Sequence, residues 1–562
     1  MKKLISAAAA LMIVLSLAGC SDSKTTDKEK DTSSAAAESN QAEDTGKNDT
    51  EKTDDGKDDA AQDIPDAEPT AGISTISIVT DDSDDAGALD FITKPVAGHV
   101  SELIASWTPG YVIPPEPVYK ECSITLYDEN AKPVSDELRA SVKVRGNWTT
   151  TYDKKPLRIK FDEKQSVLGL NNGAEMKNWL LLAEYKDGSM LRDKVSLQMA
   201  RGILGKDDLY AADTKLVDVI VNGKYWGVYL LTEQQQTGSS RIDITEPEEN
   251  YEGTDIGYFM EFDGYFYNED ELHSFFVDYN DNAPLKPYDG EGGSGRTMKV
   301  LCTGEWDPKE DVGMTIKSEI YSEAQHDFIA DFTNNVYNIM YHAAYDDEAW
   351  VFDDDYSKIT KSDKLTPQEA VEKVVNVDSL ADMYIISELT CDADIYWSSF
   401  FLDADFGESG DKKLTFEAPW DFDSGLGNKD RCADGTGYYA ANIVPDVNGG
   451  PSGGGEYDTM NPWLAVLMYE DWFTDIIKDK WTAAYDAGVF TETLDTINND
   501  KTQYKDAFER NYSRWDNLVH NEEFANELTF KAKKCKTQEE AADYLHEWLT
   551  ARVEFMNGIY HK

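Results

Sequence analysis

The chain predicts an α+β fold in which a strand-rich stretch, about residues 73–265, precedes a helix-rich one, about 315–562. Two patterns carry this expectation. Short apolar alternations of period two, broken by Asp, Asn and Gly, fill the first stretch, whereas apolar residues four apart fill the second. With 562 residues, 40% hydrophobic and 11% aromatic, the chain can bury a real core, and its length suggests more than one lobe at roughly 100–200 residues each.

The elements follow in order. Lys2 and Lys3 precede an apolar run, Leu4 to Leu17, shorter than the roughly 20 residues of a membrane-spanning helix, and the run ends at Leu17-Ala18-Gly19-Cys20. This is a lipobox, similar to bacterial lipoprotein signals. It implies cleavage after residue 19, acylation of Cys20 and a lipid-anchored protein on the extracytoplasmic face of the membrane. Residues 20–70 read as the lipidated cysteine followed by a disordered acidic linker, because 21–70 hold 16 acids, 6 lysines and no Phe, Tyr, Trp, Leu or Val. The folded region is expected over 71–562.

Within it, Ser123–Tyr127, Ala140–Val144, Pro156–Phe161 and Leu216–Val221 read as strands. Asn222-Gly223, ahead of Lys224–Leu231, signals a hairpin, since Asn-Gly readily takes the positive φ angles of a type I′ turn. A helix is expected at Met190–Ala200. Phe328, Phe332, Val336 and Met340 mark a long helix, and Leu380, Tyr384 and Glu388 another. Strand character returns between Leu402 and Trp420, and helices run from Trp463 to the end. Two glycine-rich stretches, 289–295 and 449–455, read as loops without the strand-before, helix-after context of a phosphate cradle.

Charge narrows the partners. With 53 Lys+Arg against 108 Asp+Glu the net charge is −55, of which about −47 lies on residues 71–562. No basic patch offers the clustered cations that grip a nucleic-acid backbone, so no nucleic-acid partner is expected. Six cysteines, one of them lipidated, show no CxxC spacing, which argues against a metal cluster or a stapled scaffold. The seven histidines show no HxH or HExxH spacing, and GxSxG does not occur. Asp278-Tyr-Asn-Asp-Asn282 lacks the Gly and closing Glu of a calcium loop.

The strongest constellation is Thr390-Cys-Asp-Ala-Asp394, Ser398-Ser399 and Ala418-Pro-Trp-Asp421-Phe-Asp423-Ser-Gly425. Its carboxylates bracket a strand hairpin in an apolar setting, where unpaired acids are costly unless a cation compensates. Asp421 and Asp423, two apart around an aromatic, are expected on one face of a strand, a hard oxygen pair that suits Mg²⁺ or Mn²⁺. Asp394, Ser399 and Asp421 also stand in the order of a protein kinase's catalytic Asp, metal-binding Asn and metal-holding Asp.

Arg145-Gly-Asn147, Lys155-Pro-Leu-Arg-Ile-Lys160-Phe, Trp179-Leu-Leu-Leu-Ala183, Leu191-Arg-Asp-Lys194, Gly227–Glu233, Phe259-Met-Glu261-Phe-Asp263, Ile316-Lys317-Ser and Pro419-Trp-Asp421-Phe-Asp423 together resemble the CotH-type spore-coat kinase family, from about Ile73 to Tyr560. The resemblance implies a two-lobed, atypical protein-kinase-like fold that uses ATP with Mg²⁺ or Mn²⁺ to phosphorylate Ser or Thr of surface or secreted proteins. It casts Asp394 as the group orienting the acceptor hydroxyl and Asp421, with Asp423, as metal ligands. Lys160 or Lys155 would meet the ATP phosphates, Lys160 being mid-strand. Glu233 or Glu184 would pair with that lysine, and Arg145 would reach phosphate or brace the acids. Ser399 stands where many members carry the metal-binding Asn. Either a weaker Ser ligand, a water or Asp392 serves there, or the protein is a non-catalytic surface binding or scaffold protein that keeps the fold.

Overall fold

A computed structural model describes residues 64–290, 312–429, 435–443, 460–518, 524 and 527–562, apart from positions 136 and 393. Cys20, the signal, most of the linker, the first glycine-rich stretch beyond residue 290 and the whole of the second lie outside the described residues. Among the described residues, seven strands close into a barrel: β1 Ser74–Thr80, β2 Lys120–Tyr127, β3 Leu138–Val144, β4 Leu157–Gln165, β5 Met176–Leu182, β6 Thr214–Val221 and β7 Lys224–Glu233, in the order β1-β2-β3-β4-β5-β7-β6. Parallel pairing of β1 with β6 makes the closure; the other pairs are antiparallel.

Alternation explains the walls. In β4, Leu157, Ile159 and Phe161 are buried, while Arg158 and Lys160 face outward. The β6–β7 turn is the expected two-residue one, with φ of 50° at Asn222 and 70° at Gly223. β5 shows no period-two alternation because Trp179 to Leu182 are buried on both faces.

The barrel also recruits chain from the expected linker. Ile64 is buried, Tyr225 N–H donates to Pro65 O at 3.0 Å, Ala67 N–H donates to Gly223 O at 2.9 Å, and Lys224 pairs with Asp66 at 2.6 Å. One isoleucine and main-chain bonds to a hairpin suffice for this, and average composition conceals both.

A second sheet runs β14-β13-β8-β10-β9, built from β8 Gly257–Asp263, β9 Ser274–Phe275, β10 Gly313–Ile316, β13 Phe400–Asp405 and β14 Thr415–Phe416; β11 Trp350–Phe352 and β12 Ile359–Lys361 form a separate hairpin. In this sheet β8, from the first stretch, pairs with β10 and β13 from the second, so the second sheet spans the division near residue 265. The long helices are Glu323–Asp346, opened by a Ser322/Gln325 capping box, then Val377–Thr390, Asp471–Asp486, Val489–Gln503, Lys505–Arg514 and Gln538–Tyr560. The helix expected from Met190 begins instead at Arg192 and ends at Leu204. Its start is set by Asp187, whose carboxylate accepts the N–H groups of Ser189, Leu191 and Arg192 at 2.8–2.9 Å. One continuous core joins the outer face of the barrel, this helix, the second sheet and the C-terminal helices. Cys122, Cys391 and Cys535 are buried, the first and last as free thiols.

Buried acids make stability pH-dependent. On β13 and just beyond β14, Asp403 and Glu417 face each other out of water, and two such carboxylates cannot both ionise cheaply. Burial pushes Glu417 up to about 7 from an ordinary 4.5. The folded chain therefore keeps a proton that the unfolded chain releases between those values. Stability from this pair is present below about pH 4.5 and is lost as pH rises through about 7, at up to about 1.4 kcal/mol per pH unit. Thermal melting is expected to give a lower Tm at pH 7.5 than at pH 5.5, with Glu417→Gln flattening that slope. An equally steep slope in the variant would assign the effect elsewhere.

Candidate functional site

The β13–β14 hairpin sets two loops side by side, residues 391–399 before it and 417–425 after it. From these loops Asp394, Asp421 and Asp423 each offer a carboxylate oxygen, all within 4.8 Å of one another. All three are half-buried.

Local structure places each acid. The Val377–Thr390 helix ends at Cys391 with φ 47°, which turns the chain sharply. Asp392 then accepts the Asp394 N–H at 3.1 Å, while Asp394 O accepts the Trp397 and Ser398 N–H groups at 2.8 and 2.9 Å. The second loop is not the expected strand. Asp421 has φ 70°, and Phe422 is fully buried while its N–H donates to Asp193 Oδ1 at 2.7 Å. A left-handed residue ahead of a buried plug brings both carboxylates to one side, the result that a strand's alternation was expected to achieve. Asn428 Nδ2 donates to Asp423 O at 2.7 Å, and Leu426 N–H to Thr390 O at 2.7 Å, so the two loops are stitched together.

The cation at these acids is Lys186. Its Nζ lies 3.1 Å from Asp423 Oδ1 and donates to Ser424 Oγ at 2.7 Å, and Ser424 donates in turn to Asp423 at 3.0 Å. Burial opposes its charge, yet Asp423, with Asp394 behind it, outweighs that and holds its pKa well above the usual value. Arg145 is half-buried; burial pulls its pKa down against the attraction of Asp421.

Around this centre the carboxylates crowd one another. Burial and then the Asp423 charge push Asp421 well above the carboxylate range, and burial with Asp394 does the same to Asp392. Burial and Asp423 raise Asp193 to about 7, and Glu184, buried against Asp193, is raised well above its ordinary value. Protons or a cation must compensate such an array. Three convergent hard oxygens fit Mg²⁺ or Mn²⁺ by donor chemistry.

Several residues expected at this site lie elsewhere. Lys160 is exposed mid-β4, opposite Ser141 and Asn178, because the inward positions of that strand belong to Leu157, Ile159 and Phe161. Lys155 is buried and donates to Tyr152 O at 2.5 Å. Glu233 is buried against Arg241 at 3.3 Å and accepts from Asn171 Nδ2 and Asp213 N–H. It therefore serves the barrel rather than a site lysine. Ser399, 8% exposed, gives its N–H to Glu261 Oε1 at 2.9 Å.

Sequence reasoning sought the phosphate lysine on a strand and so passed over Lys186, which sits in the loop after β5. The signal available was position: Lys186-Asp187-Gly188 lies between two of the quoted motifs. Beside Asp394, Trp148, Tyr265 and Trp397 form an aromatic ledge. Trp148 Nε1 donates to Tyr265 OH at 3.2 Å, and the Tyr265 and Trp397 rings meet edge to face at 6.1 Å. Gly264 permits that approach, for a Cβ there would stand 2.3 Å from the Trp397 ring.

A family model described as CotH kinase protein matches residues 142–556, which include Arg145, Lys186, Asp394, Asp421 and Asp423. No curated protein matches the chain. Among the described residues no helix is long and apolar enough to cross a membrane.

Proposed function

Because the chain belongs to the CotH kinase protein family, we propose that it is a protein kinase that transfers the γ-phosphate of ATP to Ser or Thr of surface or secreted proteins. The observation that carries this reading is the convergence of Asp394, Asp421 and Asp423, with half-buried Lys186 paired to Asp423.

The residues divide the work by position. A divalent cation held by Asp421 and Asp423 would supply charge neutralisation on the β- and γ-phosphates. Lys186 is placed to donate to a phosphate oxygen, exchanging its contact with Asp423 for one with the nucleotide. Asp394 accepts the hydrogen bond of the acceptor hydroxyl and aligns it for in-line attack. Arg145, whose charge Asp421 attracts, adds positive charge to the site.

The full chain is to be incubated with labelled ATP and Mn²⁺ or Mg²⁺, following transfer to itself and to a generic basic protein. Metal-dependent transfer supports the reading. Metal-dependent nucleotide binding without transfer would favour the non-catalytic alternative, which Ser399 at the usual Asn position supports; no nucleotide binding would remove the kinase reading.

The location is part of the same proposal. The Lys2-Lys3 start, the short apolar run and Cys20 support a lipid anchor on the extracytoplasmic face. Cys20→Ala is expected to abolish incorporation of labelled fatty acid and to leave the signal uncleaved. Undiminished labelling would place the acyl group elsewhere.

A further inference from the structure

Glu261 leaves β8 between a cation and a backbone amide. Its Oε2 lies 2.8 Å from Lys317 Nζ, and its Oε1 accepts the Ser399 N–H at 2.9 Å. Strand register makes the reach possible, since β8 pairs with β13 with Phe401 opposite Glu261, two residues beyond Ser399. Lys317, just past β10, also lies 3.9 Å from Asp263. Asp263 is itself fixed, accepting from Thr315 Oγ1 at 3.0 Å and from the Tyr265 N–H at 2.7 Å. The Lys317–Glu261 pair is thus anchored in the second sheet.

What it grips is strained. Ser399 has φ 61°, a region that a β-carbon disfavours and that persists only where surroundings impose it. The preceding turn is already held at the Asp394 N–H by Asp392 and at the Asp394 carbonyl by Trp397 and Ser398. The turn meets the second sheet at two points, the Trp397 carbonyl, which accepts the Gly264 N–H just past β8 at 2.5 Å, and the Ser399 amide, the only one of the two that a side chain holds.

We propose that Glu261, oriented by Lys317, is a positioning residue that holds Ser399 in its left-handed conformation and thereby aims Asp394 at the acceptor hydroxyl. This deepens the kinase reading above and rests on it. Glu261 touches no reacting atom in this role; it acts through the turn.

The test compares the full chain with its Glu261→Gln and Glu261→Ala variants in the Mn²⁺–ATP transfer assay. Gln keeps an oxygen for the Ser399 N–H, and Ala removes it. Ala is expected to lower kcat about 30–100-fold while KM for ATP stays within about twofold, as a small misplacement of a reacting group does. Gln is expected to stay within about fivefold of the unaltered protein. Unchanged kcat in the Ala variant, a Gln variant as slow as Ala, or a matching rise in KM would each overturn the proposal.

Amide exchange over residues 394–399 gives a readout independent of transfer. The Ser399 amide is expected to exchange at least about tenfold faster in the Ala variant than in the Gln variant or the unaltered protein; unchanged exchange would overturn the positioning role. This exchange pattern among the three proteins, together with no phosphate transfer by the unaltered one, would sink the kinase reading and leave the turn's attachment to Glu261 standing.

Discussion

Asp421→Ala is expected to lower phosphate transfer at least about a thousandfold, roughly 4 kcal/mol of transition-state stabilisation, while the chain stays folded. The reason is the opposed demands on Asp421 in the free and loaded protein. Without a cation, its half-buried carboxyl loses solvation and is repelled by Asp423 and Asp394, so ionising it is unfavourable. With a cation, the same crowding becomes the binding energy of the site. Removing Asp421 should therefore weaken Mn²⁺ binding and abolish transfer, yet leave the metal-free protein no less stable at pH 8, where the repulsion is greatest. Melting curves with and without Mn²⁺, run beside the transfer assay, check both halves. Undiminished transfer would take Asp421 out of the site. A collapse of the metal-free Tm would show that its carboxyl is structural. The strongly negative chain adds that nucleotide binding should depend steeply on the divalent cation, since a bare triphosphate approaches a site of like charge.

Lys186→Met and Lys160→Ala should separate the two candidate phosphate lysines. Lys186 is half-buried at the Asp423 carboxylate, and its loss is expected to cost transfer about a hundredfold or more if it meets the phosphates as proposed. Mn²⁺ affinity should rise in the same variant, because Asp423 no longer shares its charge. Lys160, exposed on the outer face of β4, should be replaceable by Ala within about twofold. Rate measurements at saturating ATP, with Mn²⁺ titrations alongside, decide this. A damaging Lys160→Ala beside a harmless Lys186→Met would return the role to the strand lysine.

The legible parts of the molecule are those that neighbouring residues control. Asn222-Gly223 made its hairpin because both residues tolerate positive φ, and Phe328, Phe332, Val336 and Met340 fell in one helix because four residues make about one turn. Asp394, Asp421 and Asp423 could be grouped because the hairpin between them is short and brings both its ends together. β5 and β8 were harder to read, since strands buried on both faces lose the alternation that betrays a strand.

Tertiary structure decided the rest. The barrel closes by β1 meeting β6, segments more than a hundred residues apart whose patterns say nothing of each other. Asp421 was expected on a strand and is left-handed, because Asp193, from a distant helix, takes the next amide. The site cation is Lys186 rather than Lys160 for the same reason. Periodicity is a property of a few adjacent residues and survives in the sequence, whereas an ion pair depends on a distance through space that only the finished packing defines.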